Sequence, residues 1–191
     1  MSNPLEKKII LASKSPRRSQ LLREAGFQFE IKTLEVAEDY PADMKADKVP
    51  QFLAEKKAES SKGFLEKDKI ILAADSVVIL GETIFEKPKD YDDAVRILSA
   101  LSGHQHRVIT GVCLLSQNKK LVFSGVSKVQ FEALSATEID FYINKYKPYD
   151  KAGAYAIQEW IGLCKISKIE GTYSNIMGLP VELVYRALKE F

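Results

Sequence analysis

Residues 8–26 read KIILASKSPRRSQLLREAG. An apolar run, a polar turn and an amphipathic stretch follow one another here, and that order decides the fold class. Ile9, Ile10 and Leu11 make residues 8–12 a short buried strand. Ser15 then stands where a helix N-cap belongs, with Pro16 at the first helical position, where the missing N–H is not needed. Leu21, Leu22 and Ala25 recur at helical spacing until Gly26 stops the run. A strand that feeds a helix through one short turn is the unit of an α/β protein.

Outward from this unit the alternation continues. Residues 27–34 alternate as a second strand. Residues 35–48 form a polar loop carrying Glu35, Glu38, Asp39, Asp43, Asp47 and Pro41, and a helix is expected over about 49–61. Residues 70–74, IILAA, are a central strand that meets Asp75 and Ser76 and resumes over 77–80, with Gly81 and Glu82 as a turn. Residues 91–101 show the helical pattern Ala94, Val95, Leu98, Leu101, ended by Gly103. Residues 106–115 and 121–133 read as the two arms of a hairpin. Ser135 and Glu138 spell a capping box for a helix to about Tyr146, with Pro148 beyond it. Residues 149–160 are mixed, 163–169 are strand-like, and 180–189 read as a final helix with Leu183, Val184 and Leu188 on its apolar face.

Composition sets the class. The chain has 191 residues, 46% of them apolar and 28% charged, which suits a soluble globular protein and excludes disorder, collagen-like repeats and coiled coil. A chain this long buries roughly 70% of its unfolded surface. Its net charge of +2 gives too weak a field to favour a nucleic-acid partner, so any anion site is local. No apolar run approaches a membrane span, and residues 1–8 are polar with no signal core, so a cytoplasmic protein with no membrane partner is expected. Cys113 and Cys164 both sit among apolar residues that read as strand and are expected as buried free thiols.

Several positions carry chemistry. Arg17 and Arg18 fall in the first turn of a helix, where cations are disfavoured unless an anion neutralises them; with Ser13, Ser15 and free backbone N–H groups they make a phosphate cradle. The plain alternative is a capped helix with two solvated arginines. Asp75 interrupts an apolar run, and an aspartate is costly to bury unless it is paired, hydrogen-bonded or metal-bound. It reads as a divalent-cation ligand or a general base toward water, the alternative being a strand-end aspartate satisfied by backbone amides. Lys87 is biased to extended backbone by Pro88, and with Lys57 it can bring compact positive charge to a polyphosphate. Glu38 can share a cation with Asp75. His104 and His106, two apart on a strand, are expected as polar residues at its entrance rather than a metal half-site. Tyr149, Tyr155, Gln158 and Trp160 can stack and hydrogen-bond a base, or be core and dimer surface. GxxxxGK[ST], GxGxxG and GxSxG are absent.

The segments LASKSPRRSQLL, AADSVV, EKPKDYDDAVRILSALSGHQHRVITGV, DKAGAYAIQ and IEGTYSNIMGLP, in this order, resemble the Maf family of nucleotide pyrophosphatases nearly end to end. The resemblance implies a single Maf-like domain over residues 1–191. Its expected fold is similar to inosine triphosphatase, an elongated mixed α/β structure with two lobes around a central cleft. It implies a homodimer that hydrolyses nucleoside triphosphates to the monophosphate and pyrophosphate with Mg²⁺ or Mn²⁺. Carried over by position, Ser13, Arg17 and Arg18 line the phosphate cleft, and Glu38, Lys57, Asp75 and Lys87 match active-site positions, Asp75 as proton acceptor; the metal ligands expected here are the Glu38 and Asp75 pair named above. The branch similar to dTTP/UTP pyrophosphatases combines an arginine at 17, a hydroxyl at 76 and a glutamine at 158. All three are met, with Ser76 where threonine is usual, a change that bears on selectivity more than activity. The 7-methyl-GTP branch looks different in the SxSPRR and AYAIQ regions. Gln158 can offer a donor and an acceptor to the O4/N3–H edge of uracil or thymine, although a rotated amide also suits cytosine. The family's link with septum formation and division arrest leaves a nucleotide-sensing regulator as an alternative, and a broader house-cleaning hydrolase as another.

Overall fold

The computed structural model describes residues 3–191. In chain order the elements are β1 Lys8–Leu11, α1 Pro16–Glu24, β2 Phe29–Ile31, α2 Val49–Ser60, β3 Lys69–Leu80, β4 Thr83–Phe85, α3 Tyr91–Leu101, β5 Gln105–Leu115, β6 Lys120–Phe131, α4 Ala136–Tyr146, α5 Trp160–Cys164, β7 Ile166–Glu170, α6 Tyr173–Met177 and α7 Val181–Leu188. The strands form a seven-stranded mixed sheet in the order β2-β1-β3-β5-β6-β7, with β4 paired to β3. The α/β class expected from residues 8–26 is borne out. Met1 and Ser2, part of the stretch read as lacking a signal core, lie outside the described residues. Among the described residues no helix is long and apolar enough to cross a membrane.

The chain divides into two compact units, and β3 passes from one to the other between Asp75 and Ser76. The first unit holds the chain through Asp75 together with Thr110–Gly125 and Gly178–Phe191. Here β1 runs parallel to both β2 and β3, with Ile10 opposite Ile71 and Leu11 opposite Leu72. Ala54 and Ala58 of α2 pack with Ile10, Ile71, Ala73 and Cys113. Small residues on that helix face let it lie close to the strands. Closest of all is its start, where a Cβ on Gly111 of β5 would stand 2.2 Å from the Pro50 carbonyl carbon, so only glycine fits. Ala12 N donates to Leu72 O at 2.9 Å, and the chain then leaves the carboxyl end of β1 into Ser13. In sheets of this kind that end is where ligands are met.

The second unit is Ser76–Ile109 with Val126–Met177. Its core joins Ile97, Leu98 and Leu101 of α3 to Ile139, Tyr142 and Ile143 of α4, over Val78, Phe85, Val108, Val129 and Phe131. The start of α4 follows its sequence signal, Ser135 with Glu138 closing the capping box, and α3 is capped by Asp90, which accepts from Asp93 N at 2.8 Å.

Four expectations are corrected. The second strand shrinks from eight residues to Phe29–Ile31, an edge strand whose last residue is exposed. The strand expected from 163 begins only at Ile166, because 160–164 turn as α5, leaving Leu163 exposed. Cys164 is consequently exposed at a helix end, while Cys113 is buried as expected. His106 stands at the entrance of β5 as core rather than as an ordinary polar residue: it is 1% exposed, its Nε2 lies 2.7 Å from Tyr155 Oη, and its ring packs edge-on against Phe131. Burial pulls its pKa down to about 4.

Candidate active site

The turn after β1 places its hydroxyls and guanidiniums by backbone geometry. Ser15 is the N-cap of α1 and Pro16 opens it, yet the Ser15 side chain makes no capping bond. Ser13 Oγ does the organising, accepting from Ser15 N at 3.2 Å and from Arg18 Nη1 at 3.1 Å. Arg18 Nε donates to Gly178 O at 2.8 Å, which fixes the plane of the guanidinium. Burial lowers the Arg18 pKa from its usual value, opposed by Asp75, reinforced by Arg17 and opposed again by Glu38; a guanidinium stays charged regardless. Arg17 is half-buried on the same helical turn. No acidic residue occupies the first turn of α1, so the arginines and the helix dipole present a positive end.

Across this unit, Lys57 gathers two of the expected acids. The inner face of α2 is buried through Leu53, Ala54 and Ala58, which sets the direction of Lys57 in its last turn. Its Nζ donates to Asp75 Oδ1 and, at 2.7 Å, to Glu38 Oε1. The Lys57 and Asp75 side chains are 16% and 12% exposed, so this pair lies largely out of water while Glu38 is half-exposed. Asp75 therefore interrupts the apolar strand as an ion-paired carboxylate, not as a strand-end residue held only by amides. The neighbouring Lys56 bonds Asp39 at 2.6 Å and holds its carboxyl below the usual carboxylate range. Two consecutive lysines thus pin the acidic loop.

The donor set fits a hard divalent cation. Two carboxylates from separate stretches already converge on one positive group, the Lys57 ammonium, and such cations take oxygen ligands completed by water and phosphate oxygens. Among the described residues no cluster of three or more His, Cys, Asp or Glu is arranged for a metal.

In the second unit Ser76 follows Asp75 on β3 and is half-buried. Lys87 is exposed beside buried Pro88 and lines a hollow of about 200 Å³ with Glu86, Lys89, Asp93 and Arg96. Gln158 is exposed. The aromatic patch does not form as one surface: Tyr155 is buried against His106 and Phe131, and Trp160 packs edge-on with Phe141. Sequence reasoning missed Gly178, whose contribution is a backbone carbonyl that no residue type announces. It also missed Lys151, Glu159 and Tyr142, which are joined around the 151–159 segment.

The model of the Maf-like protein family matches residues 8–191. The chain belongs to the Maf family. Similar proteins of this family include the dTTP/UTP pyrophosphatases of Porphyromonas gingivalis strain W83, 47% identical over 100% of this Maf chain and 98% of the relative, and of Phocaeicola vulgatus, 47% identical over the full length of both. That of Flavobacterium johnsoniae is 44% identical over 95% of this chain and 93% of its own. Among solved structures, the Staphylococcus aureus Ham1 protein aligns with 96% of the Maf chain and 99% of its own at a TM-score of 0.57 and 14% identity. That likeness bears out the inosine-triphosphatase-like fold class and nothing finer.

Proposed function

We propose that this Maf protein is a nucleoside triphosphate pyrophosphatase acting on dTTP and UTP, releasing the monophosphate and pyrophosphate. Relatives at up to 47% identity over the whole chain carry that name. The observation that carries the chemistry is the Lys57 ammonium bonded to both Glu38 and Asp75 in the same unit as the Ser13, Arg17 and Arg18 turn.

Asp75 takes a proton from water as its oxygen bonds to the α-phosphorus, and the bond from that phosphorus to the bridging oxygen breaks, its electron pair leaving with pyrophosphate. Lys57 orients the Asp75 carboxylate. Arg17, Arg18 and Lys87 bind the phosphate tail and offset the charge that develops on the leaving oxygens, and Ser13 holds Arg18 in its plane. A divalent cation, Mg²⁺ or Mn²⁺, held by Glu38 and Asp75, would supply further charge stabilisation to the phosphates. Ser76 and Gln158 contact the pyrimidine base. Residues 1–191 work as a single Maf-like domain, as a cytoplasmic homodimer.

The test is pyrophosphate release with Mg²⁺ or Mn²⁺ over dTTP, UTP, CTP, GTP and 7-methyl-GTP. Preference for dTTP and UTP is expected; equal kcat/KM across the panel defeats the selectivity, and no release from any of them defeats the function.

A further inference from the structure

Gln158 projects from a segment that is otherwise shut in: residues 153–157 are buried and Gln158 is exposed. The backbone on both sides of it is tied. Before it, the Ile157 carbonyl lies so close to Gly162 that a Cβ there would come within 1.6 Å of the oxygen, so only glycine lets α5 close over it. After it, Glu159 stands at the N-cap of α5 without using its side chain to cap. Its Oε2 instead accepts from Tyr142 Oη of α4, and its Oε1 lies 3.4 Å from Lys151 Nζ. Tyr142 Oη in turn accepts from Ala156 N at 3.0 Å. Burial raises the Tyr142 pKa, so its hydroxyl remains a donor. Between these ties Ala154 sits at φ 58°, a left-handed conformation that a non-glycine residue enters at a cost and keeps only where its surroundings enforce it.

Charge alone does not explain the arrangement. The Lys151 side chain, 9% exposed, already has Asp150 Oδ1 at 2.9 Å. Glu159 goes further, linking Lys151 with Tyr142, and through the Tyr142 hydroxyl with Ala156. One carboxylate thereby fastens the beginning, middle and end of the 151–159 segment to α4.

We propose that Glu159, held between Lys151 and Tyr142, is a specificity-positioning residue that fixes the pose in which the Gln158 amide meets the nucleobase. This rests on the reading of Gln158 as the base-contacting residue. Glu159 touches no substrate; it acts through its neighbour by denying the segment alternative conformations, which would let the amide adapt to other base edges.

The experiment measures kcat/KM for dTTP, UTP, CTP and GTP in the full-length protein and in Gln158→Ala, Glu159→Gln, Tyr142→Phe and the Gln158→Ala/Glu159→Gln double variant. Glu159→Gln and Tyr142→Phe are each expected to lower the UTP-over-GTP preference about tenfold. The double variant is expected to be no less selective than Gln158→Ala alone, because a residue acting through Gln158 has nothing left to position. If Glu159→Gln does not fold, Tyr142→Phe, which removes one oxygen, carries the comparison, with Gln158→Ala/Tyr142→Phe as the double variant. Multiplying losses in the double variant, or an undiminished preference in Glu159→Gln and Tyr142→Phe while Gln158→Ala loses it, overturn the inference and leave the base-contact reading standing. An unaltered ranking in Gln158→Ala overturns both.

Discussion

From α2, Lys57 bonds Asp75, and the same ammonium also holds Glu38. Removing the carboxylate charge by Asp75→Asn is expected to lower pyrophosphate release by about 10²- to 10⁴-fold, the range of a lost general base, while nucleotide binding persists. Retained turnover would take Asp75 out of the proposed role. Lys57→Met removes the ammonium bonded to Asp75 where that side chain is 12% exposed, and breaking a buried pair costs about 3 kcal/mol or more, read as a lowered urea midpoint. Arg17→Ala is expected to cost about 2 to 4 kcal/mol of transition-state stabilisation in kcat/KM. Asp75 was legible because a carboxylate in an apolar run demands a partner. The partner was not legible, since Lys57 and Asp75 are 18 positions apart and meet only once α2 packs on β3. Glu38 was one acid among five in a loop without regular structure, a candidate partner for Asp75 that the family resemblance singled out.

Elements declare themselves when their signals are local and long. The capping box at Ser135 forms as read, and α3 buries Ala94, Leu98 and Leu101 as read, with Ile97 on that face where Val95 is only half-buried. Five residues do not suffice to separate helix from strand, and WIGLC became α5 because Gly162 could press onto the Ile157 carbonyl, a contact invisible in its own sequence. Cys164 went to the surface with it. Thiol titration of the native protein is accordingly expected to show one fast equivalent, Cys164, while burial pushes Cys113 up to about 12 and keeps it silent until unfolding. Two fast equivalents would contradict the burial of Cys113. The packing of α2 on β5 gives a further expectation. Gly111→Ala forces a Cβ against the backbone of Pro50 and is expected to destabilise by about 3 kcal/mol in denaturant unfolding, carrying Lys57 away from Asp75 and lowering activity with it.

Stability of the whole molecule carries the mark of His106. Folded, its imidazole is held near 4; unfolded, it returns to 6.5, so between these values the unfolded chain takes up a proton that the native core refuses. The contribution is fully present above pH 6.5 and is lost as the pH falls toward 4, amounting to about 3 kcal/mol. Unfolding midpoints compared at pH 7 and 4.5 are expected to show a steeper fall in the wild type than in His106→Gln, and equal slopes would remove His106 as the cause. Residues far apart in the chain also meet. A carbonyl at residue 178 aims a side chain of the first helix from 160 positions away. A ribosome must therefore have released the chain through Gly178 before that guanidinium can be seated, and a protein clipped just ahead of Gly178 would keep every charged group proposed to act on nucleotide, with the arginine left unaimed.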